Sequence, residues 1–146
     1  MRTDYTKYLG IKHDYVNNNC ATLINQIFMG ELGSNVINKI WSVIDMPGGS
    51  NTIGKNFFKM LTFKQLTDWA DSFARRVNLT ELQEYDVILF KTKAGRPIHF
   101  GLYIERNKFI HLMEDEHSRI EELNDEWRGK IYTIYRFKCA DDINVV

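Results

Sequence analysis

Hydrophobic residues in the first half of the chain recur with the spacing of an α-helix. After a run of three asparagines, all of them candidate helix caps, four apolar residues fall on one helical face: Leu23, Ile24, Ile27 and Phe28. Gly30 marks the predicted stop of this helix, and Cys20 lies in its first turn. The same spacing returns at 36–44 and at 66–73, the latter preceded by a pair, Thr62 and Gln65, that resembles a capping box. The pattern predicts three main helices.

The second half of the chain changes to the two-residue period of a β-strand. Residues 86–90 form a short apolar run between polar stretches, which indicates a buried strand. At 98–104, apolar residues alternate with His99, Gly101 and Tyr103, so His99 points away from the apolar side. Further strands are predicted at 109–113, 118–123 and 130–137, with a turn or short helix at 124–127. The predicted fold class is α+β, with N-terminal helices packed on a central antiparallel sheet.

The loop between the second and third predicted strands decides whether two histidines meet. We predict a three-residue loop at 105–107 with a bulge, since Asn107 tolerates the left-handed conformation that such a loop needs. In that register Gly101 lies opposite His111, and His99 is one diagonal step from His111 on the same face. A two-residue loop would put the histidines on opposite faces, because a slip of one residue reverses every side chain.

Length and charge exclude several classes of protein. A chain of 146 residues fits a single domain spanning 1–146. Lysine plus arginine (19) equals aspartate plus glutamate (19), which argues against nucleic-acid binding. There is no run of about 20 apolar residues and no signal core at the N-terminus. We therefore expect that the protein is made in the cytoplasm and does not insert into a membrane. The two cysteines, Cys20 and Cys139, are expected to be thiols.

Cys20, His99 and His111 have the order and the predicted settings of a cysteine-nucleophile triad. The start of a helix favours a thiolate, and its first N–H groups are suited to stabilise an oxyanion. A histidine takes the thiol proton, while a third polar group orients that histidine through its other nitrogen. We therefore predict Cys20 as nucleophile, His99 as base and His111 as the orienting group. This chemistry needs no metal and no cofactor.

The same residues also have interpretations that are purely structural and involve no catalysis. A cysteine at a helix start is more often a small packed hydrophobe, and a histidine on a strand is more often a hydrogen-bonded structural residue. Potential metal ligands cluster from His111 to His117, but their spacing fits no zinc pattern, so we predict a solvated acidic loop instead. His13 and Cys139 are predicted to be structural.

The chain resembles the NlpC-type peptidases, and most closely the variety found in phage tail-assembly proteins. The segment from Tyr85 to Phe90 is similar to the family's Gly-Asp-Val strand, and His99-Phe100-Gly101-Leu102-Tyr103-Ile104 to its His-Val-Gly-Ile-Tyr-Ile strand. His111 follows His99 by 12 positions (111 − 99), the family's usual spacing. Trp127 and Arg136 resemble the closing Trp and Arg of tail-type members. Asn19, Ala21-Thr22 and Tyr85 stand where the family has an acidic residue, Ser-Gly and Gly.

The resemblance implies a papain-like fold and a function. It implies a cysteine peptidase or amidase that cuts an amide in the peptide stem of bacterial peptidoglycan through Cys20, His99 and His111. The expected partners are stem peptides and other phage tail proteins, and the expected route to the wall is as a virion tail component. The alternative is a tail-tip or tail-assembly structural protein with little or no hydrolase activity. Acyl transfer to an amine by the same nucleophile also stays open.

Overall fold

The computed structural model describes residues 3–14, 18–37, 68, 70–91 and 99–139. The chain divides into two compact units: residues 1–60 with 112–119, and residues 61–111 with 120–146. Much of the predicted second helix (36–44) and the pair Thr62 and Gln65 lie outside the described residues. Residues 70–73 are helical, as the third predicted helix requires. The single domain over 1–146 stays a prediction.

The first unit contains helix α1 (Cys20–Leu32), which begins where the sequence predicts. Of the three candidate asparagines, Asn19 is the N-cap: its side-chain oxygen accepts from the backbone N–H of Ala21 at 3.0 Å and of Thr22 at 3.1 Å. The Thr22 hydroxyl in turn accepts from the Asn19 N–H at 2.7 Å. This reciprocal capping box uses donors that the helix itself cannot satisfy, and it places Cys20 in the first turn.

Helix α1 ends later than predicted, and the stop at Gly30 is wrong. The helix continues to Leu32, and Gly33 caps it in the left-handed conformation, with φ 61° and ψ 24°. A glycine inside a helix costs only about 1 kcal/mol relative to alanine, so Gly30 alone does not end it. A Cβ atom at Gly30 would collide with the hydroxyl of Tyr8, which donates to Glu31 at 2.6 Å. Gly30 is thus explained by a close packing contact.

The N-terminal segment of the first unit is tied to residues 116–118 by hydrogen bonds. The buried Ser118 hydroxyl donates to the carbonyl of Tyr8 at 2.6 Å and accepts from the N–H of Ile11 at 2.9 Å. Lys12 and His117 form an isolated antiparallel bridge beside it. The backbone at His117 therefore helps to join two distant parts of the sequence.

The second unit is built around a six-stranded sheet, whose order is β1-β6-β2-β3-β4-β5. The strands are β1 (Ala74–Arg76), β2 (Val87–Phe90), β3 (His99–Glu105), β4 (Lys108–His111), β5 (Arg119–Glu122) and β6 (Ile131–Phe137). The pairs β1–β6, β6–β2, β2–β3 and β3–β4 are antiparallel. Arg119, the first residue of β5, belongs to the first unit. The predicted α+β class with a central antiparallel sheet is confirmed, although β1 was not predicted.

Short helical elements complete the description. The helix α2 (Asp125–Arg128) lies between β5 and β6, where the sequence predicts a turn or short helix. Two 3₁₀ turns, Thr6–Tyr8 and Leu79–Glu81, were not predicted. Within the described ranges, no helix is long and apolar enough to cross a membrane.

The β3–β4 hairpin reaches the predicted register by a different route. Glu105 pairs with Lys108, so the loop has two residues rather than three, and both Arg106 (φ 49°) and Asn107 (φ 63°) have the positive φ that a tight hairpin turn requires. A bulge between Tyr103 and Glu105 shifts the register by the residue that the shorter loop removes. Gly101 therefore pairs with His111 as predicted, and the two histidines share a face.

Aromatic side chains pack on the same face of the sheet as the histidines. Phe90 pairs with His99 across β2 and β3, and its ring lies 5.2 Å from that of Phe109. A Cβ atom on Gly101 would approach both phenyl rings to 2.9 Å, so the glycine makes room for them. The buried cluster on this face comprises Val77, Ile88, Phe90, Phe109, Leu123 and Ile134.

A buried ion pair holds the turn before β2. The Arg136 guanidinium donates to both carboxylate oxygens of Asp86 at 2.8 Å, and also to the carbonyl of Glu81 at 2.7 Å. Tyr85, next to this pair, has φ 74°. Only glycine adopts this left-handed conformation without steric cost, so the backbone at Tyr85 is strained.

Candidate active site

Cys20 lies in the first turn of α1, in the first unit, and is buried. Neither Cys20 nor Cys139 forms a disulfide. The start of a helix is a favourable setting for a thiolate, because the positive end of the helix dipole stabilises negative charge there. The predicted location of Cys20 in the first turn of a helix is therefore confirmed.

The N–H groups of this first turn have a different role from the one predicted. Those of Ala21 and Thr22 donate to the Asn19 side chain, and that of Leu23 donates to the Asn19 carbonyl at 3.0 Å. The expectation that the first N–H groups of the helix stabilise an oxyanion is therefore wrong for Ala21, Thr22 and Leu23. Asn19 is an effective N-cap, and an N-cap engages these same donors.

His99 and His111 lie in the second unit and are in direct contact. Nε2 of His99 is 2.8 Å from Nδ1 of His111, which is a hydrogen bond between the imidazoles. Their ring centroids are 5.1 Å apart, with the planes at 66°. The two residues are diagonal neighbours on one face of β3 and β4, so their predicted contact is confirmed.

Glu121 on β5 extends this hydrogen-bonded pair. Its carboxylate contacts Nε2 of His111, whose side chain is fully buried, whereas 26% of the Glu121 side chain is exposed. Sequence reasoning missed Glu121. The available signal was its position in the predicted strand 118–123, in alternation with Leu123, whose side chain lies in the buried cluster. The pairing of β5 with β4 could not be inferred from that signal.

The surroundings of His99 favour its neutral form. Burial, the neighbouring His111 and the ammonium of Lys130 together lower the pKa of His99 to about 3, and burial is the largest cause. The Phe90 ring lies 5.9 Å away and helps to enclose the imidazole. At neutral pH the ring is therefore uncharged, which is the form able to accept a proton.

Trp127 on α2 covers the histidine pair. Its ring stands edge-on to His111, with centroids 5.0 Å apart and planes at 86°, and lies 5.2 Å from Phe90. Asn124 caps α2 by accepting from the Trp127 N–H at 3.0 Å. The ammonium of Lys130 is 4.7 Å from the centre of the Trp127 ring. The indole of Trp127 therefore shields the imidazole of His111 on one side.

The acidic segment between His111 and His117 contains potential metal ligands. His111 belongs to the second unit and His117 to the first, where the latter bridges to Lys12. Nowhere in the described part of the chain do three or more His, Cys, Asp or Glu side chains gather in a way that could hold a metal ion.

A helix that begins at a cysteine, followed along the chain by an antiparallel sheet that carries an imidazole pair, defines a papain-like α+β protein. The NlpC/P60 family model matches residues 8–136. The chain belongs to the NlpC/P60 family. Proteins of this family are generally cysteine peptidases. No curated protein sequence matches the chain.

A solved structure supports the fold. It is a crystal structure from Staphylococcus aureus subsp. aureus Mu50, described as similar to lipoprotein, NLP/P60 family. It matches with a TM-score of 0.56 and 15% sequence identity, over 94% of this chain and 43% of that one. This chain thus spans less than half of the solved chain, and at this identity the likeness concerns the fold alone.

Proposed function

We propose that this protein is a cysteine peptidase or amidase that hydrolyses an amide bond in the peptide stem of bacterial peptidoglycan. Cys20 is the nucleophile, His99 the general base and His111 the group that orients His99. The hydrogen bond of 2.8 Å between Nε2 of His99 and Nδ1 of His111 carries the proposal, because it is the contact that a base and its orienting group require. Membership of the NlpC/P60 family supports the substrate class.

The proposed reaction is acyl transfer through a thioester. Neutral His99 takes the proton of the Cys20 thiol, and the sulfur attacks the amide carbonyl. His99 then gives the proton to the leaving amine as the carbon–nitrogen bond breaks. Water, deprotonated by His99, attacks the thioester, the carbon–sulfur bond breaks to release the acid, and His99 returns its proton to the Cys20 sulfur. The neutral form of His99 and the position of Cys20 at a helix start both suit these steps.

Digestion of muropeptides, analysed by mass spectrometry, tests the activity. The proposed bond is the one between D-glutamate and the diamino acid, as the resemblance to NlpC-type peptidases implies. Wild type is expected to release the two halves of the stem, and Cys20→Ala to release none above background. Cys139→Ala is the matched control, because it removes the other cysteine and should cleave like wild type. Identical profiles for wild type and Cys20→Ala would refute the proposal for this substrate.

Alkylation of Cys20 tests the nucleophile without any assumed substrate. Iodoacetamide labelling, located by peptide mass spectrometry, is expected to be faster at Cys20 than at Cys139 at pH 7. His99→Ala should slow the labelling of Cys20 and leave that of Cys139 unchanged, because only Cys20 depends on the base. Equal rates at Cys20 with and without His99 would mean that His99 does not activate it.

We further propose that a phage tail delivers the protein to the cell wall from outside. The support is the similarity of Trp127 and Arg136 to the closing Trp and Arg of tail-type members of the family. Immunoblots of purified virions should detect the protein. Absence from virions would refute the delivery route.

Phage carrying Cys20→Ala separate an enzyme from a structural tail protein. Normal particles that infect poorly indicate enzymatic use. Defective tails would favour the alternative, in which the fold serves tail assembly. Adding amine acceptors to the muropeptide digestion distinguishes acyl transfer from hydrolysis, because transfer would yield stem products that carry the added amine.

A further inference from the structure

Three side chains of the second unit form a continuous hydrogen-bonded chain: Glu121, His111 and His99. The Glu121 carboxylate contacts Nε2 of His111, and Nδ1 of His111 is 2.8 Å from Nε2 of His99. Both nitrogens of His111 are therefore engaged, as is one nitrogen of His99. These hydrogen bonds do not use the other ring nitrogen of His99, Nδ1, and this nitrogen is the one suited to a proton transfer.

The Glu121 carboxylate determines which nitrogen donates and which accepts in each of these hydrogen bonds. An ionised glutamate only accepts hydrogen bonds, so Nε2 of His111 must carry the hydrogen. A neutral imidazole has one N–H, so Nδ1 of His111 is then the acceptor, and Nε2 of His99 must donate to it. By the same rule, Nδ1 of His99 has no hydrogen and presents a lone pair.

The reverse direction is disfavoured by two features of the site. If Nδ1 of His111 donated to His99 while the ring stayed neutral, its Nε2 lone pair would face the carboxylate of Glu121, which repels it. If His111 carried both hydrogens, its positive charge would pair with the Glu121 carboxylate but would sit on a fully buried ring, under the edge of Trp127. Taking a charge out of water costs free energy even within an ion pair, and the Lys130 ammonium close to the same cluster adds repulsion.

We propose that Glu121 is a positioning residue that sets the tautomers of His111 and His99, so that Nδ1 of His99 is the proton acceptor. This inference rests on the proposed function for its consequence, since the base that it prepares is the one assigned to Cys20. Glu121 itself touches no reacting atom. It acts through His111, in the way that a buried carboxylate fixes the histidine of a serine-protease triad.

Nitrogen-15 NMR of the imidazoles tests the proposal in the unmodified protein. Two-bond proton–nitrogen correlation spectra distinguish the two neutral tautomers and the doubly protonated ring. At pH 7, both His99 and His111 are expected to carry hydrogen on Nε2 and none on Nδ1. His99→Gln and His111→Gln assign the signals. Hydrogen on Nδ1 of His99, or on both nitrogens of His111, would overturn the proposal.

Glu121→Gln is expected to reverse the donors and acceptors in the hydrogen bonds from residue 121 to His99, with little change in side-chain shape. The amide can donate to Nε2 of His111, so that hydrogen moves to Nδ1 of both rings and the lone pair of His99 is lost. Glu121→Asp keeps a carboxylate and is expected to keep the wild-type tautomers. Glu122→Gln, on the adjacent exposed residue of β5, is the matched control. Unchanged tautomers in Glu121→Gln would contradict the positioning role.

Activity adds a second measurement. Loss of general-base catalysis is expected to slow muropeptide cleavage by about 10²–10⁴-fold in Glu121→Gln, with little change in Glu122→Gln. Glu121→Asp should recover part of the rate. If wild type cleaves no muropeptide, the proposed function fails, but the tautomers of the wild type still decide this inference. Full activity in Glu121→Gln would reject it.

Discussion

At the scale of single residues, the environment of His99 determines its charge. The imidazole lies between Phe90 and the inner ring of His111, and both desolvation and nearby positive charge oppose its protonation. An exposed histidine would be partly charged near pH 6.5. In this protein the same side chain stays neutral far into the acidic range, and so keeps a lone pair available at neutral pH.

This neutral state predicts a loss of stability in acid. The unfolded chain binds a proton at His99 below about pH 6.5, whereas the folded chain does so only near pH 3. The unfolded state therefore holds more protons in that window, and the free energy of unfolding falls as pH falls, by up to about 1.4 kcal/mol per pH unit. Denaturant titrations at pH 7 and pH 5 measure this decrease.

His99→Gln should reduce that decrease, because it removes the titrating ring. His117→Gln, at an exposed residue outside the histidine pair, is the control. An equal loss of stability in wild type and His99→Gln between pH 7 and pH 5 would show that His99 titrates normally.

At the scale of elements, α1 depends on its N-cap. Asn19→Ala removes the acceptor for two backbone N–H groups in a buried setting, and we expect it to cost about 1–2 kcal/mol. Asn18→Ala is the control, because Asn18 bridges to Asp14 through backbone atoms and should change stability by under about 0.5 kcal/mol. Chemical denaturation measures both variants. Equal effects would mean that the cap contributes little.

The β3–β4 turn predicts a substitution that stabilises the protein. Arg106 is exposed and has φ 49°, a conformation that costs a non-glycine residue about 1–2 kcal/mol. Arg106→Gly removes this strain, but it also increases the entropy of the unfolded chain, so we expect a net gain of about 0.5–1 kcal/mol. Lys108→Gly, at the exposed first residue of β4, should instead destabilise by about 0.5–1 kcal/mol. Melting temperatures that shift the same way in both variants would contradict this account.

At the scale of the whole molecule, the Arg136–Asp86 pair joins β6 to the turn before β2. Both side chains are buried, so Arg136→Met leaves an unpaired buried carboxylate and should cost about 3–5 kcal/mol. Arg76→Met removes an exposed ion pair with Asp71 and should cost under about 1 kcal/mol. Urea denaturation compares the two. Adding Asp86→Asn to Arg136→Met should recover part of the loss, because it removes the stranded charge.

The single domain predicted over 1–146 has its own test. One cooperative domain should unfold with coincident transitions when followed by far-ultraviolet circular dichroism and by labelling of the Cys20 thiol during denaturation. Circular dichroism follows the backbone of the whole chain, whereas Cys20 reports on the first unit. Two separated midpoints would show that the chain unfolds as two domains.

The sequence by itself determined the local parts of this protein. Helical spacing and the asparagines predicted where α1 begins, an apolar run predicted β2, and alternation predicted β3, because periodicity and capping depend on neighbours within a few residues. Strands β5 and β6 also lie within predicted strands, and β4 overlaps one. The contact of His99 with His111 was also predictable, since both lie in one hairpin.

Only the tertiary structure decided how distant segments meet. The β3–β4 loop is one residue shorter than predicted, and the bulge beside Tyr103 compensates, so that Gly101 still pairs with His111. Glu121 reaches His111 because β5 lies next to β4, and no local pattern specifies that neighbour. Gly30 lies inside α1, where the Tyr8 hydroxyl leaves no room for a Cβ atom. The contacts of Glu121 with His111 and of Tyr8 with Gly30 join separate elements, so they depend on how the chain packs rather than on local sequence.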